Sequence, residues 1–158
     1  MKKFTLLLSA MLFSMMSFAA VVTFDADADK GNATDDYNKA AAYTITKNGV
    51  TIDVTKGCLG TYNNEMHYRI YKNQTITITS TAGDITSVQF TCTAKDDAKY
   101  GPGCISASVG NYTYSAEVGN WSGSASSIVF TATPEQVRAS QIVVAIDGDD
   151  IGGGNGGN

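Results

Sequence analysis

Side chains able to do chemistry are few in this chain and unevenly placed. His67 is the only histidine, so any hydroxyl or thiol nucleophile would have to be activated by that one imidazole. No Gly-x-Ser-x-Gly elbow, His-Glu-x-x-His zinc helix or phosphate-cradling glycine loop occurs. Outside the N-terminal leader there are three glutamates, Glu65, Glu117 and Glu135, a thin supply for the paired carboxylates of glycoside hydrolysis. No enzyme is expected.

The densest cluster is "DADADKGNATDD", residues 25 to 36, with five aspartates in twelve positions. Counted from Asp25, the residues Asp27 and Asp29 fall at positions three and five of a calcium loop, where alternate oxygens surround a hard cation. The match then fails, because Lys30 stands where the sharp turn needs glycine, and no helices flank the stretch. Two readings stay open: a solvated acidic loop after a first strand, which the poor match favours, and a looser structural calcium site at Asp25, Asp27 and Asp29. No other cofactor is expected.

A second candidate lies in "HYRIYK". If Tyr68 and Ile70 face a core, then His67, Arg69 and Tyr71 share the opposite face two residues apart. An aromatic ring beside Arg and His donors is a ligand platform, since rings stack on sugar C–H faces while donors take hydroxyls. The plainer alternative is that tyrosines are common in strands and pair across them. Trp121, before "SGSASS", reads as a core cap rather than an exposed stacker.

The cysteines are Cys58, Cys92 and Cys104. Cys92 is in phase with Val88 and Phe90 and reads as a buried free thiol. Cys58 in "TKGCLG" and Cys104 in "YGPGCI" sit in glycine-rich stretches read as loops, so a Cys58–Cys104 disulfide is favoured, with Cys92–Cys104 as its rival. No metal-binding spacing of cysteines is present.

The elements that must carry these groups follow a short leader. "MKKFTLLLSAMLFSMMSFAA" has two lysines, an apolar stretch and a small-residue end, the layout of a secretory signal peptide, with cleavage expected after Ala19 or Ala20. The apolar stretch is too short for a confident membrane span, so no membrane insertion is expected. The expected domains are a leader at 1–20, one domain at 21–147 and a disordered Gly/Asn tail at 148–158. The mature chain carries nine basic against fifteen acidic residues, a net charge of −6. Without clustered Lys and Arg, nucleic acid and anionic membranes are poor partners. A monomer in the periplasm or outside the cell is the default expectation.

From Val21 onward apolar residues recur with period two. In "YTITKNGVTIDVT" two such runs flank an Asn-Gly turn, the strongest short hairpin signal. Further runs carry Ile76 and Ile78, then Val88, Phe90 and Cys92, then Ile128 and Phe130, then Ile142, Val144 and Ile146. "GNYTYSAEVGN" reads as one short strand between turns, and only "DDYNKAAAY" looks briefly helical. Eight or nine short strands separated by Gly, Asn, Asp and Ser predict an all-β antiparallel sandwich of jelly-roll type.

The ordered motifs "MHYRIYKNQTITIT", "FTCTA", "YGPGC", "NYTYS", "GNWSGSASSIVFTAT" and "QVRASQIVVAI" resemble a β-sandwich module found in secreted and surface proteins of Bacteroidetes-type bacteria. The likeness covers nearly all of the mature chain. It implies the sandwich fold and a secreted or surface setting, and it brings no activity or site residue with it. The functional expectation is a non-catalytic binding module with glycans as the leading ligand class. A surface protein or a secreted assembly is the alternative partner.

Overall fold

The computed structural model describes residues 20–29, 41–62 and 65–147; the side chains of 41–43, 57–62 and 65 lie outside that description. The expected leader through Ala19, the expected tail and the second half of the acidic stretch therefore fall outside the described residues. Eleven strands run along the chain: β1 Ala20–Asp25, β2 Ala41–Lys47, β3 Val50–Tyr62, β4 Glu65–Ile70, β5 Thr75–Ser80, β6 Asp84–Cys92, β7 Ile105–Ala107, β8 Asn111–Ser115, β9 Val118–Ala125, β10 Ser127–Ala132 and β11 Val137–Asp147. All named pairs are antiparallel. Among the described residues no helix is long and apolar enough to cross a membrane.

The strands form a sandwich. One layer runs β7-β10-β5-β3 with β2 on the far edge, and the other runs β8-β9-β6-β11 with β1 on the far edge. Alternate residues of both layers point inward: Ile52, Ile78 and Ile128 from the first, Val88, Phe90 and Val144 from the second, all 1% exposed or less. The layers meet at Phe130 of β10. Its ring contacts Phe90 edge-on at 4.9 Å, and Tyr112 and Trp121 pack against it at 6.4 and 6.5 Å.

β4 joins the layers. It pairs with the second half of β3, Gly57↔Ile70 to Tyr62↔Glu65, and with the start of β11, Val137↔Ile70 to Ala139↔Tyr68. Both long strands therefore change partners along their length. β3 gives its first half to β5, and β11 gives its second half to β1 and β6. The exchange in β11 is accompanied by a bulge at Ser140: Ala139 faces Cys92 and Gln141 faces Thr91, leaving one residue over.

The Asn-Gly hairpin forms as expected, with Asn48 and Gly49 at φ of 47° and 78° between β2 and β3. Three expectations are corrected. "NYTYSAEVGN" is two strands, because Ala116 at φ 51° makes a turn inside it. Ala41 and Ala42, at the end of "DDYNKAAAY", open β2 rather than a helix, and residues 35–40 lie outside the described residues. The stretch "KGCLG" continues β3 instead of forming a loop, with Cys58 opposite Arg69.

That last point removes the expected Cys58–Cys104 bridge. Cys104 sits on a single 3-10 turn, Pro102–Cys104, just before β7, and in the first layer β7 and β3 are three strand spacings apart, on the order of 14 Å. A disulfide needs Cα atoms within about 7 Å. Cys92 and Cys104 are instead both buried free thiols, so the rival bridge is absent too. Burial pushes the Cys92 thiol up to about 12 and raises that of Cys104.

Because only a thiolate attacks an alkylating reagent, iodoacetamide at pH 8 should leave Cys92 and Cys104 unmodified in the folded protein and label both in urea, as read by peptide mass mapping. Phe130→Ala should cost about 3–5 kcal/mol of stability in urea titration, since it empties the point where both layers meet.

Candidate functional site

The acidic turn after β1 is built by its own carboxylates. Asp25 Oδ1 accepts hydrogen bonds from the backbone N–H groups of Asp27 and Ala28, both at 3.1 Å. This Asx-type arrangement closes the turn through its own backbone. Gln141 Nε2 of β11 donates to Asp25 Oδ2 at 3.4 Å. These donors, led by the Ala28 amide, hold the Asp25 carboxyl below its usual range despite partial burial, and the Lys47 ammonium adds to the effect.

Asp29 ties the turn to the sandwich. Tyr68 of β4 donates its hydroxyl to Asp29 Oδ2 at 2.5 Å, and Lys47 at the end of β2 pairs with Oδ1 at 2.5 Å. Lys47 Nζ also donates to the Thr23 carbonyl on the outer edge of β1. Asp25 and Asp29 thus turn toward protein donors. Among the described residues no group of three or more His, Cys, Asp or Glu is placed to hold a metal ion. The described part of the stretch is therefore engaged by protein donors at Asp25 and Asp29, and Asp35 and Asp36 lie outside the described residues.

The platform expected at His67, Arg69 and Tyr71 also has to be corrected. His67 is 3% and Arg69 1% exposed, on a strand whose other face, Tyr68 and Ile70, is buried as well. The period-two rule assumes one wet face, and β4, lying where the two layers meet, has none. Tyr71 comes after the end of β4, half-buried, with its N–H on the Lys56 carbonyl. The three residues do not share an exposed surface.

The fold instead brings His67 to the acidic turn. An open cleft of about 570 Å³ is lined by Asp25 and Asp27 from the turn and by Met66 and His67 from β4, with Thr91 of β6 and Ser140 and Gln141 of β11. The bulge at Ser140 makes room here, and its hydroxyl donates to the Thr91 carbonyl at 3.2 Å. The cleft therefore presents an ionised carboxylate, a second aspartate, an amide and hydroxyls over a largely buried imidazole: hydrogen-bonding groups with little ring surface.

Sequence reasoning missed Thr91, Ser140 and Gln141. A signal existed, because the buried positions of β11 run Val137, Ala139 and then Ile142, Val144, Ile146, a change of phase that only an extra residue can absorb. Trp121 is buried as expected, its indole N–H donating to the Val109 carbonyl at 2.6 Å.

Asp25 gives a pH test with a defined sign. Its carboxyl is depressed in the fold, so its contribution to stability is present above the unfolded carboxylate range and lost as pH falls through the lower folded value. The stability gap between the parent and Asp25→Asn, from urea titrations at several pH values, should be constant near neutrality and shrink as pH falls below that range. No family model matches the chain, and no curated protein or solved structure matches it.

Proposed function

We propose that this chain is a secreted, non-catalytic binding module that takes glycans in the cleft between the acidic turn and β11. The observation that carries the reading is the convergence of Asp25, Asp27, His67 and Gln141 on one open polar cleft. Sugar hydroxyls donate to carboxylates and accept from amide N–H groups, so such a lining matches their chemistry. An ionised Asp25 at the wall disfavours acidic sugars. Ser140 donates its hydroxyl hydrogen bond to a backbone carbonyl, which suits a site that holds a ligand rather than attacks it.

The means of binding differs from the aromatic stacking anticipated from "HYRIYK". Tyr68 and Trp121 are buried, and among the described residues Tyr114, 42% exposed, is the one aromatic that is open to solvent to that degree. The leader-like N-terminus and the resemblance to modules of secreted and surface proteins support the setting.

A protein partner is a second reading, favoured by one observation. Among the described residues strand β8 pairs with β9 alone, and the exposed apolar side chains Val109 and Tyr114 lie just before it and within it. An open edge of this kind accepts an added strand.

A glycan array run with the parent, Asp27→Ala and Gln141→Ala separates the two. The cleft reading expects parent binding to neutral glycans and roughly tenfold weaker binding by both variants. No glycan binding by the parent, together with partner capture from the native secretome that Thr113→Pro abolishes, would replace it with the edge-strand reading.

A further inference from the structure

The outer face of the first layer is a field of hydroxyls. Strand register places Thr46, Thr51, Thr79 and Ser127 in one row across β2, β3, β5 and β10. The next row is Thr44, Asp53, Thr77 and Val129, and Thr75, Thr131 and Ser106 continue the field beyond it. All are exposed or half-buried, while their neighbours in sequence, Ile45, Ile52, Ile78 and Ile128, fill the core.

Two features separate this face from an ordinary wet sheet. Its hydroxyls are held by one another: Thr46 and Thr51 at 2.9 Å, Thr79 and Ser127 at 3.3 Å, Thr55 and Thr75 at 3.2 Å. The field is also nearly free of charge, whereas soluble surfaces usually intersperse Lys, Arg, Glu and Asp. Its one ionic group in these rows, Asp53, accepts from the Thr44 hydroxyl at 2.7 Å.

We infer that this face is a second binding surface, distinct from the cleft, and that its ligand is the surface of a neutral polysaccharide. Hydroxyls and methyls alternate over it with spacings set by the sheet, about 6.6 Å along a strand and about 4.8 Å between strands. A neutral polysaccharide surface presents hydroxyls and C–H groups in a comparable mixture. Mutual pairing fixes the threonine rotamers beforehand, so little side-chain freedom is lost on contact. The missing charges exclude the alternatives. Nucleic acid requires Lys and Arg, and a tight protein interface is anchored by Trp, Tyr or Arg, none of which stands in these rows.

The face and the cleft share no residue, so they can be tested apart. The whole secreted chain is co-sedimented with insoluble cellulose, chitin and mannan, alongside Thr77→Lys on the face, Asn120→Lys on the outer face of the other layer, and Asp27→Ala in the cleft. The expected result is retention of the parent by at least one polymer, roughly tenfold weaker retention of Thr77→Lys, and parent-like retention of the other two. Should Thr77→Lys melt early, Ser127→Lys at the end of the neighbouring row reads the same face. Retention of Thr77→Lys and Ser127→Lys equal to the parent overturns the inference, as does a parent retained by none of the polymers. If Asp27→Ala alone releases the polymer, the cleft holds it and the face does not. Loss of soluble-glycan binding is read separately on the array, so either site can fail without the other.

Discussion

Backbone pairing at the junction of the two layers governs most of what this molecule does. β3 and β11 are longer than the neighbours they start with, and buried N–H and C=O groups left without partners are costly. Each strand meets the demand by exchanging partners, and β4 supplies the new edge to both. A sandwich of two separate sheets becomes one hydrogen-bonded surface that passes from layer to layer through β4.

The candidate site is a product of that exchange. β4 is buried on both faces, so His67 and Arg69 are withdrawn from the surface. The crossing of β11 from β4 to β1 is absorbed by the bulge at Ser140, and the cleft opens beside it. The acidic turn is moored at the same place through Tyr68 to Asp29 and Gln141 to Asp25. Removing carboxylates from solvent is offset by backbone amides at Asp25 and by a lysine at Asp29, which explains how the two sit in one ordered turn.

The two ends of the aromatic core are held differently. Phe130 works by packing, with three rings around it. Trp121 adds direction, because its indole N–H reaches the Val109 carbonyl while Gly110 and Gly123 lie so close to the ring that any Cβ there would fall within 2.4 and 2.6 Å of it. Gly110 also has φ of 74°, so both its backbone and its lack of a side chain are used.

Local chemistry determined what depends on neighbours in sequence. Alternation placed Val88, Phe90, Ile128 and Ile142 in the core. Asn48-Gly49 set the β2–β3 turn, and Cys92 was legible as a buried thiol. Each of these needs only the two-residue period of a strand or the φ preferences of a turn. The tertiary structure alone decided which strands flank β4, and with that the fate of His67 and Arg69, the separation of Cys58 from Cys104, and the meeting of Asp25 with Gln141. Pairing between residues more than a hundred positions apart leaves no local trace, because period and propensity describe a strand's two faces and say nothing of what lies against either one.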